Sequence, residues 1–114
     1  MSKRDIKLYL QDIYDSILAI EEYVNGMKVC EFKNDRKTYS ATIREFEIIG
    51  EAVGNIINEE IIKKHSKVSW RDIKDFRNIL IHEYFGVDFE IVWNTIFEDL
   101  PQLKTTVFNI LEKH

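Results

Sequence analysis

The chain has 114 residues, of which 45% are hydrophobic and 32% charged, and its formal net charge is −4. This length is typical of one globular domain, here residues 1–114, and no apolar run approaches the roughly 20 residues that a membrane-spanning helix needs. Four glycines and one proline argue against a turn-rich β fold, and the negative charge does not by itself favour a nucleic-acid partner, because Lys and Arg drive phosphate binding.

Two long helices are predicted in the first half of the chain. Apolar side chains recur every three or four residues over 5–27 and again over 38–64, which is the spacing of a buried helical face. The segment EFKNDRK between these helices predicts a polar connection. Gly50 and Gly54 lie one turn apart inside the second helix, where each glycine costs up to about 1 kcal/mol relative to alanine. We therefore expect another helix to approach closely at these glycines.

Three further helices are predicted in the second half of the chain, each after a residue that can cap a helix. Ser69 precedes a helix over 70–84, Asp88 precedes one through residue 98, and Asp99 precedes one over 100–113. The expected fold is all-α, an up-and-down bundle of four to five helices.

The third predicted helix has two different faces. Helical side chains step by about 100° per residue, so one arc is apolar and predicts the core face: Ile73, Phe76, Ile79 and Leu80. The opposite arc mixes the apolar Trp70 and Ile81 with basic and polar groups: Arg71, Lys74, Arg77, Asn78 and His82. Such mixtures are typical of protein interfaces. We expect this face to form a symmetric contact between two copies of the chain.

Arg77 and His82 are five residues apart, and on a regular helix they point about 140° away from each other. A two-fold pairing of this helix would bring the Arg77 of one copy near the His82 of the other. Such a cleft suits phosphodiester cleavage without a metal, since a histidine can exchange a proton with a ribose 2′-hydroxyl or the leaving oxygen. An arginine can stabilise charge that develops on phosphorus, and Asn78 can orient His82 or the substrate.

The positive charge of the chain is concentrated just before this pair. The segment KKHSKVSWRDIKDFR, residues 63–77, contains six Lys or Arg and two Asp, which gives a local charge of +4 and leaves −8 on the rest. Arg71 and Lys74 are therefore predicted to bind RNA phosphates.

The segment WRDIKDFRNILIHEYFGVDFEIVW, residues 70–93, resembles the HepT-like branch of the HEPN superfamily. The similarity lies in Arg77 and Asn78, then His82 after three residues, then Tyr84 two residues further on. The segments IIGEA, residues 48–52, and DLPQLK, residues 99–104, are also similar to this family.

This resemblance implies an all-α HEPN-like homodimer that acts as the toxin of a type VII toxin–antitoxin system and cleaves RNA. It implies that Arg77 and His82 are catalytic and that Asn78 supports them. It further implies a cognate antitoxin, a minimal nucleotidyltransferase, that transfers AMP from ATP to Tyr84. The added negative charge and bulk would oppose RNA binding.

Other roles remain open for these residues. Arg77 could pair with Asp72, Asp75 or Glu51, and His82 could stabilise the end of its helix through the helix dipole. Tyr84 could be a packing residue. The whole chain could be a catalytically silent helical dimer that binds RNA, a nucleotide or a nucleotidyltransferase partner.

No cofactor and no metal site are predicted. Cys30, His65 and His114 do not have the spacing of metal ligands, and the chain contains no glycine-rich phosphate loop. The N-terminal segment MSKRDIKLYLQD lacks the apolar stretch of a signal peptide, and a single cysteine cannot form an internal disulfide. We therefore expect a cytoplasmic protein.

Overall fold

The computed structural model describes residues 5–83 and 88–113, without the side chains of His82 and Glu83. Within these ranges the chain forms seven helices and no strand, which confirms the all-α prediction. Five of them are long and correspond to the five predicted helices. Of the two short helices, one was not predicted and the other lies within the range predicted as a single second helix. In chain order the helices are α1 (Ile6–Val24), α2 (Val29–Asn34), α3 (Arg36–Ile56), α4 (Glu60–Lys63), α5 (Trp70–Glu83), α6 (Phe89–Glu98) and α7 (Leu100–Lys113).

The centre of the fold is the packing of α1 against α3. The predicted apolar stripes of both helices face each other, and they include side chains with no exposed surface: Ile13, Ile17 and Ile20 on α1, and Ile49 and Val53 on α3. Helix α7 packs against α1, and α5 packs against α3. The predicted end of the first helix is confirmed near Asn25, and the following Gly26 has a φ of 77°, which favours glycine over other residues.

Helix α2 occupies the segment that was predicted to be a polar connection, and this prediction was wrong. Phe32 is completely buried, with its ring centroid 5.5 Å from that of Tyr39 and 5.2 Å from that of Trp93. The Glu31 carboxylate accepts a hydrogen bond from the Lys28 backbone N–H at the start of the helix. Six residues with one buried side chain are too few to show helical periodicity, so sequence pattern alone could not reveal α2.

The predicted helix over 38–64 is interrupted, because α3 ends at Ile56 and α4 begins at Glu60. The backbone of Glu59 is extended, with φ −74° and ψ 141°. On an uninterrupted helix Ile62 would point about 180° away from Val53, on the solvent side. Because the break changes the direction of the chain, the side chains of Val53 and Ile62 are both fully buried.

The last two helices begin and end as predicted. The Asp88 carboxylate accepts a hydrogen bond from the Glu90 N–H at 2.9 Å and caps α6. Helix α6 packs against α2 and α7. On α7, Lys104 donates to Glu21 of α1 at 2.9 Å, and this hydrogen bond raises the pKa of the lysine. Among the described residues, no helix is both long and apolar enough to cross a membrane.

Replacing Phe32 with alanine should destabilise the fold by about 3–5 kcal/mol, because it removes a fully buried ring from the contact of α2 with α3 and α6. Replacing Val29, which is 40% exposed on the same short helix, should change stability by less than about 0.5 kcal/mol. Urea denaturation followed by circular dichroism measures both values. Equal effects of the two substitutions would contradict the assignment of α2 to the core.

Candidate active site on helix α5

Helix α5 packs against α3 over the two glycines, where the sequence predicted the approach of another helix. A Cβ atom added to Gly50 would overlap the Cβ of Arg77 and lie 3.0 Å from its Cγ and 3.3 Å from its Cδ. A Cβ added to Gly54 would lie 3.8 Å from the Cε of Lys74, an ordinary van der Waals distance. The first contact requires glycine, whereas the second has room for a methyl group.

The buried face of α5 differs from the predicted one. Ile79 was assigned to the core but is 47% exposed, and Trp70 was assigned to the open face but is only 6% exposed. The buried arc is turned by about 60° from the predicted arc, so that it includes Trp70 and the Arg77 stem and excludes Ile79. Leu80 is buried as predicted, and Phe76 packs edge-on against Phe46. The rotation follows from Gly50, because only the absence of its side chain lets an arginine stem take a central place in the contact.

Trp70 fixes the beginning of α5. Its side-chain N–H donates to the backbone carbonyl of His65 at 3.0 Å, and Val68 in the preceding loop is buried with it. The side chain of a first helical residue leans back toward the preceding chain, which explains its burial. Trp70 is therefore a packing residue, and its predicted position on an exposed interface face is wrong.

Arg77 is half-buried, and its Nε atom is buried without a hydrogen-bond partner among the described residues. Its Nη1 lies 3.5 Å from the Oδ1 of Asn78, a long hydrogen bond. Glu51 is exposed, so the alternative in which it is a buried partner of Arg77 is excluded. In the described parts of the chain no carboxylate, including those of Asp72 and Asp75, forms an ion pair with Arg77. Its positive charge is therefore not neutralised by a described acidic side chain.

The exposed side of α5 combines basic, amide and aliphatic groups. Arg71, Lys74 and Asn78 are exposed, and Ile79 and Ile81 are 47% and 38% exposed. This side therefore keeps the mixed chemistry predicted from the sequence, with Ile79 in place of Trp70.

An open groove of about 750 Å³ lies beside this exposed side. Arg71 and Lys74 line the groove together with Lys63, while Asp72 and Asp75 also reach it. Lys63 was not singled out from the sequence, although it belongs to the basic run over 63–77. The structure thus brings the two predicted RNA-binding residues to one groove and adds a third cation.

Two of the predicted site residues fall partly or wholly outside the described structure. His82 belongs to α5, five residues after Arg77, but its side chain is not described. Tyr84 lies outside the described residues. The structure therefore brings Arg77 and Asn78 together, and the participation of His82 and Tyr84 stays a prediction. Where side chains are described, no group of three or more His, Cys, Asp or Glu is placed to hold a metal ion.

Comparisons with known proteins identify one family for this chain. A family model described as "Ribonuclease HepT-like" matches residues 13–110. A protein of Thermococcus cleftensis named "Probable ribonuclease HepT" is 45% identical over 102 residues, covering 90% of this chain and 92% of the relative. No solved structure gave a significant match.

Two further relatives are named as candidate RNases. One, from Methanocaldococcus jannaschii, is 41% identical over 107 residues, covering 94% of this chain and 97% of its own. The other, from Caldanaerobacter subterraneus subsp. tengcongensis, is 43% identical over 105 residues, covering 92% and 93%. Matches of this extent, together with the helical fold and the motif on α5, show that the chain belongs to the HepT-like ribonuclease family.

Proposed function

We propose that this protein is a metal-independent RNA endonuclease, the toxin of a type VII toxin–antitoxin system, acting on RNA in the cytoplasm. The observation that carries the proposal is the state of Arg77. Its stem is held against Gly50, its Nε is buried, and no described carboxylate neutralises its charge. A fixed and unneutralised guanidinium on a surface is suited to bind a phosphate.

The proposed reaction is an attack of a ribose 2′-hydroxyl on the adjacent phosphorus. His82 accepts the hydroxyl proton or donates a proton to the departing 5′-oxygen, and the two roles fall to the two His82 residues of a dimer. The P–O5′ bond breaks as the new P–O2′ bond forms, which yields a 2′,3′-cyclic phosphate and a 5′-hydroxyl. Arg77 stabilises the charge on the phosphoryl oxygens, and Asn78, 3.5 Å from its Nη1, restrains the guanidinium. These groups supply the proton transfer and the charge stabilisation from the chain itself.

The groove beside α5 supports a role in holding the RNA backbone. Arg71 and Lys74 line the groove and belong to the first half of α5. Arg77 follows Lys74 by three residues on the same helix. Successive phosphates of a single strand can therefore contact the groove and the catalytic arginine along one helix. Asp72 and Asp75 in the same groove reduce its net charge, so the contact is expected to be modest and sensitive to salt.

The proposed assembly is a homodimer in which two α5 helices pair about a two-fold axis. Ile79 and Ile81 flank Asn78 on the exposed side of α5 and supply an apolar surface that pairing would cover. Pairing would also place the Arg77 of each copy beside the His82 of the other, which a single helix cannot do at five-residue spacing.

The proposed regulation is transfer of AMP from ATP to the hydroxyl of Tyr84 by a nucleotidyltransferase antitoxin. Tyr84 is two residues beyond His82 and seven beyond Arg77 in the sequence, and the helix predicted over 70–84 would separate Arg77 and Tyr84 by about two turns. A phosphate attached at this position would compete with RNA for the positive charge of Arg77.

Arg77→Ala and His82→Ala should each abolish RNA cleavage and toxicity and leave the fold intact. We expect losses of at least about 100-fold in kcat, the usual effect of removing a charge-stabilising or proton-transferring group. The assay measures cleavage of a labelled RNA with and without EDTA and identifies the product ends. Wild-type cleavage should persist in EDTA and give 2′,3′-cyclic phosphates.

Matched controls are Arg44→Ala and His65→Ala, which alter an exposed arginine of α3 and a histidine outside the motif, and both should cleave normally. Arg71→Gln and Lys74→Gln should raise KM several-fold and reduce the salt dependence of binding, with little change in kcat. Loss of cleavage in EDTA would contradict the metal-free mechanism. RNA binding without any cleavage by the wild type would favour the catalytically silent dimer.

The wild-type protein should sediment as a dimer at micromolar concentration, and Ile81→Glu should shift it toward monomer, because a carboxylate would be buried in the proposed interface. Leu18→Glu is the control, since Leu18 on α1 is 40% exposed against 38% for Ile81. Analytical ultracentrifugation distinguishes the two. A monomeric wild type, or a dimer that tolerates Ile81→Glu as well as Leu18→Glu, would refute pairing through α5.

Co-expression with the nucleotidyltransferase antitoxin should increase the mass of the chain by one or more AMP units, all attached at Tyr84. Tyr84→Phe should retain most of the cleavage, because the hydroxyl has no proposed catalytic role, and should escape silencing. Intact-mass and peptide mass spectrometry locate the modification, and Tyr39→Phe is a control for a tyrosine outside the motif. A Tyr84→Phe protein that the antitoxin still neutralises fully would show that neutralisation occurs by binding alone.

A further inference from the structure

We propose that Gly50 is a positioning residue for Arg77: the absence of a side chain at Gly50 sets the direction in which the guanidinium points. This inference rests on the proposed function, in which Arg77 binds and stabilises the reacting phosphate. It adds a residue on a different helix, α3, to those that the motif on α5 supplies.

The contact involves the rigid beginning of the Arg77 side chain. The three atoms nearest to a Cβ added at Gly50 are the Cβ, Cγ and Cδ of Arg77, in order of increasing distance. The Arg77 Cβ is attached directly to the backbone of α5 and cannot move aside by a rotamer change. A methyl group at position 50 would therefore push α5 away from α3 or twist it, and either movement displaces the guanidinium.

The same contact restricts the rest of the arginine. Three consecutive carbons lie along the surface of α3 over Gly50, and the Nε that follows them is buried. Only the terminal nitrogens remain to reach outward, and Nη1 contacts Asn78. An arginine restrained in this way loses less conformational entropy when it binds a phosphate, and it is already directed at the place where charge develops.

Gly54 provides an internal comparison. It lies on the same helix and the same face, one turn after Gly50, and it packs beneath Lys74 of the same partner helix. The three nearest atoms to an added Cβ are the Cε, Cδ and Cγ of the flexible lysine side chain, at 3.8–3.9 Å. Gly50→Ala therefore requires Arg77 to move, whereas Gly54→Ala does not.

The test compares Gly50→Ala with Gly54→Ala. Gly54→Ala should keep the parent kcat and a melting temperature equal to or above that of the parent, because alanine is the better helix former. Gly50→Ala should lower kcat by about 100-fold on the folded protein, a loss that a misplacement of about 1 Å can cause, while KM changes much less. Both proteins are measured at a temperature far below their melting points.

A second pair of variants separates positioning from general helix packing. Arg77→Gly removes the Cβ that Gly50 contacts, so Gly50→Ala should cause no further loss of melting temperature or residual cleavage in that background. Arg77→Ala retains the Cβ, so Gly50→Ala should still lower the melting temperature there. If Gly50→Ala alone does not fold, the Arg77→Gly/Gly50→Ala double variant should still fold and melt like Arg77→Gly.

Each result decides between the alternatives. The inference is overturned if Gly50→Ala has the same kcat as Gly54→Ala. It is also overturned if Gly50→Ala lowers the melting temperature of Arg77→Gly as much as it lowers that of the parent. Cleavage that survives Arg77→Ala instead overturns the proposed function and the catalytic meaning of Gly50 with it. In that case the melting temperatures still report the contact between residues 50 and 77, so the two failures are distinguishable.

Discussion

The contact of Gly50 with Arg77 is the constraint on which the arrangement of α5 depends. Because residue 50 has no side chain, an arginine stem can lie at the centre of the interface between α3 and α5. With the Arg77 stem at the centre of the contact, the buried face of α5 is turned by about 60° from the face that its apolar residues alone predict. Trp70 is thereby buried at the beginning of the helix, and Ile79 is directed outward.

An arginine at this position is unfavourable for stability taken alone. A buried donor without a partner costs about 1–3 kcal/mol, and the Nε of Arg77 has none among the described residues. Glycine in a helix interior costs up to about 1 kcal/mol more. An aliphatic residue at position 77 would avoid the first cost. Local costs of this kind are concentrated at functional sites, which supports the proposed role of Arg77 in binding phosphate.

The remaining helices hold this pair of helices in place. Helix α3 is fixed by its long contact with α1, and the break after Ile56 returns the chain so that Ile62 is buried and the loop to Trp70 is short. The hydrogen bond from Trp70 to His65 then ties the beginning of α5 to that loop. The face of α5 that turns away from α3 carries Asn78 between two exposed isoleucines, and this is the surface that the proposed dimer would use.

The amino-acid sequence by itself determined the five long helices apart from the break after Ile56, the approach of a helix at Gly50 and Gly54, and the motif that resembles the family. These features are encoded by local periodicity, capping residues and spacing, which a single chain displays without its neighbours. Only the tertiary structure decided that Arg77 is the residue against Gly50, that Trp70 is buried, and that α2 exists around Phe32. The rotation of a helix and the burial of a short segment depend on which other helices lie beside them, and that information is spread over residues far apart in the chain.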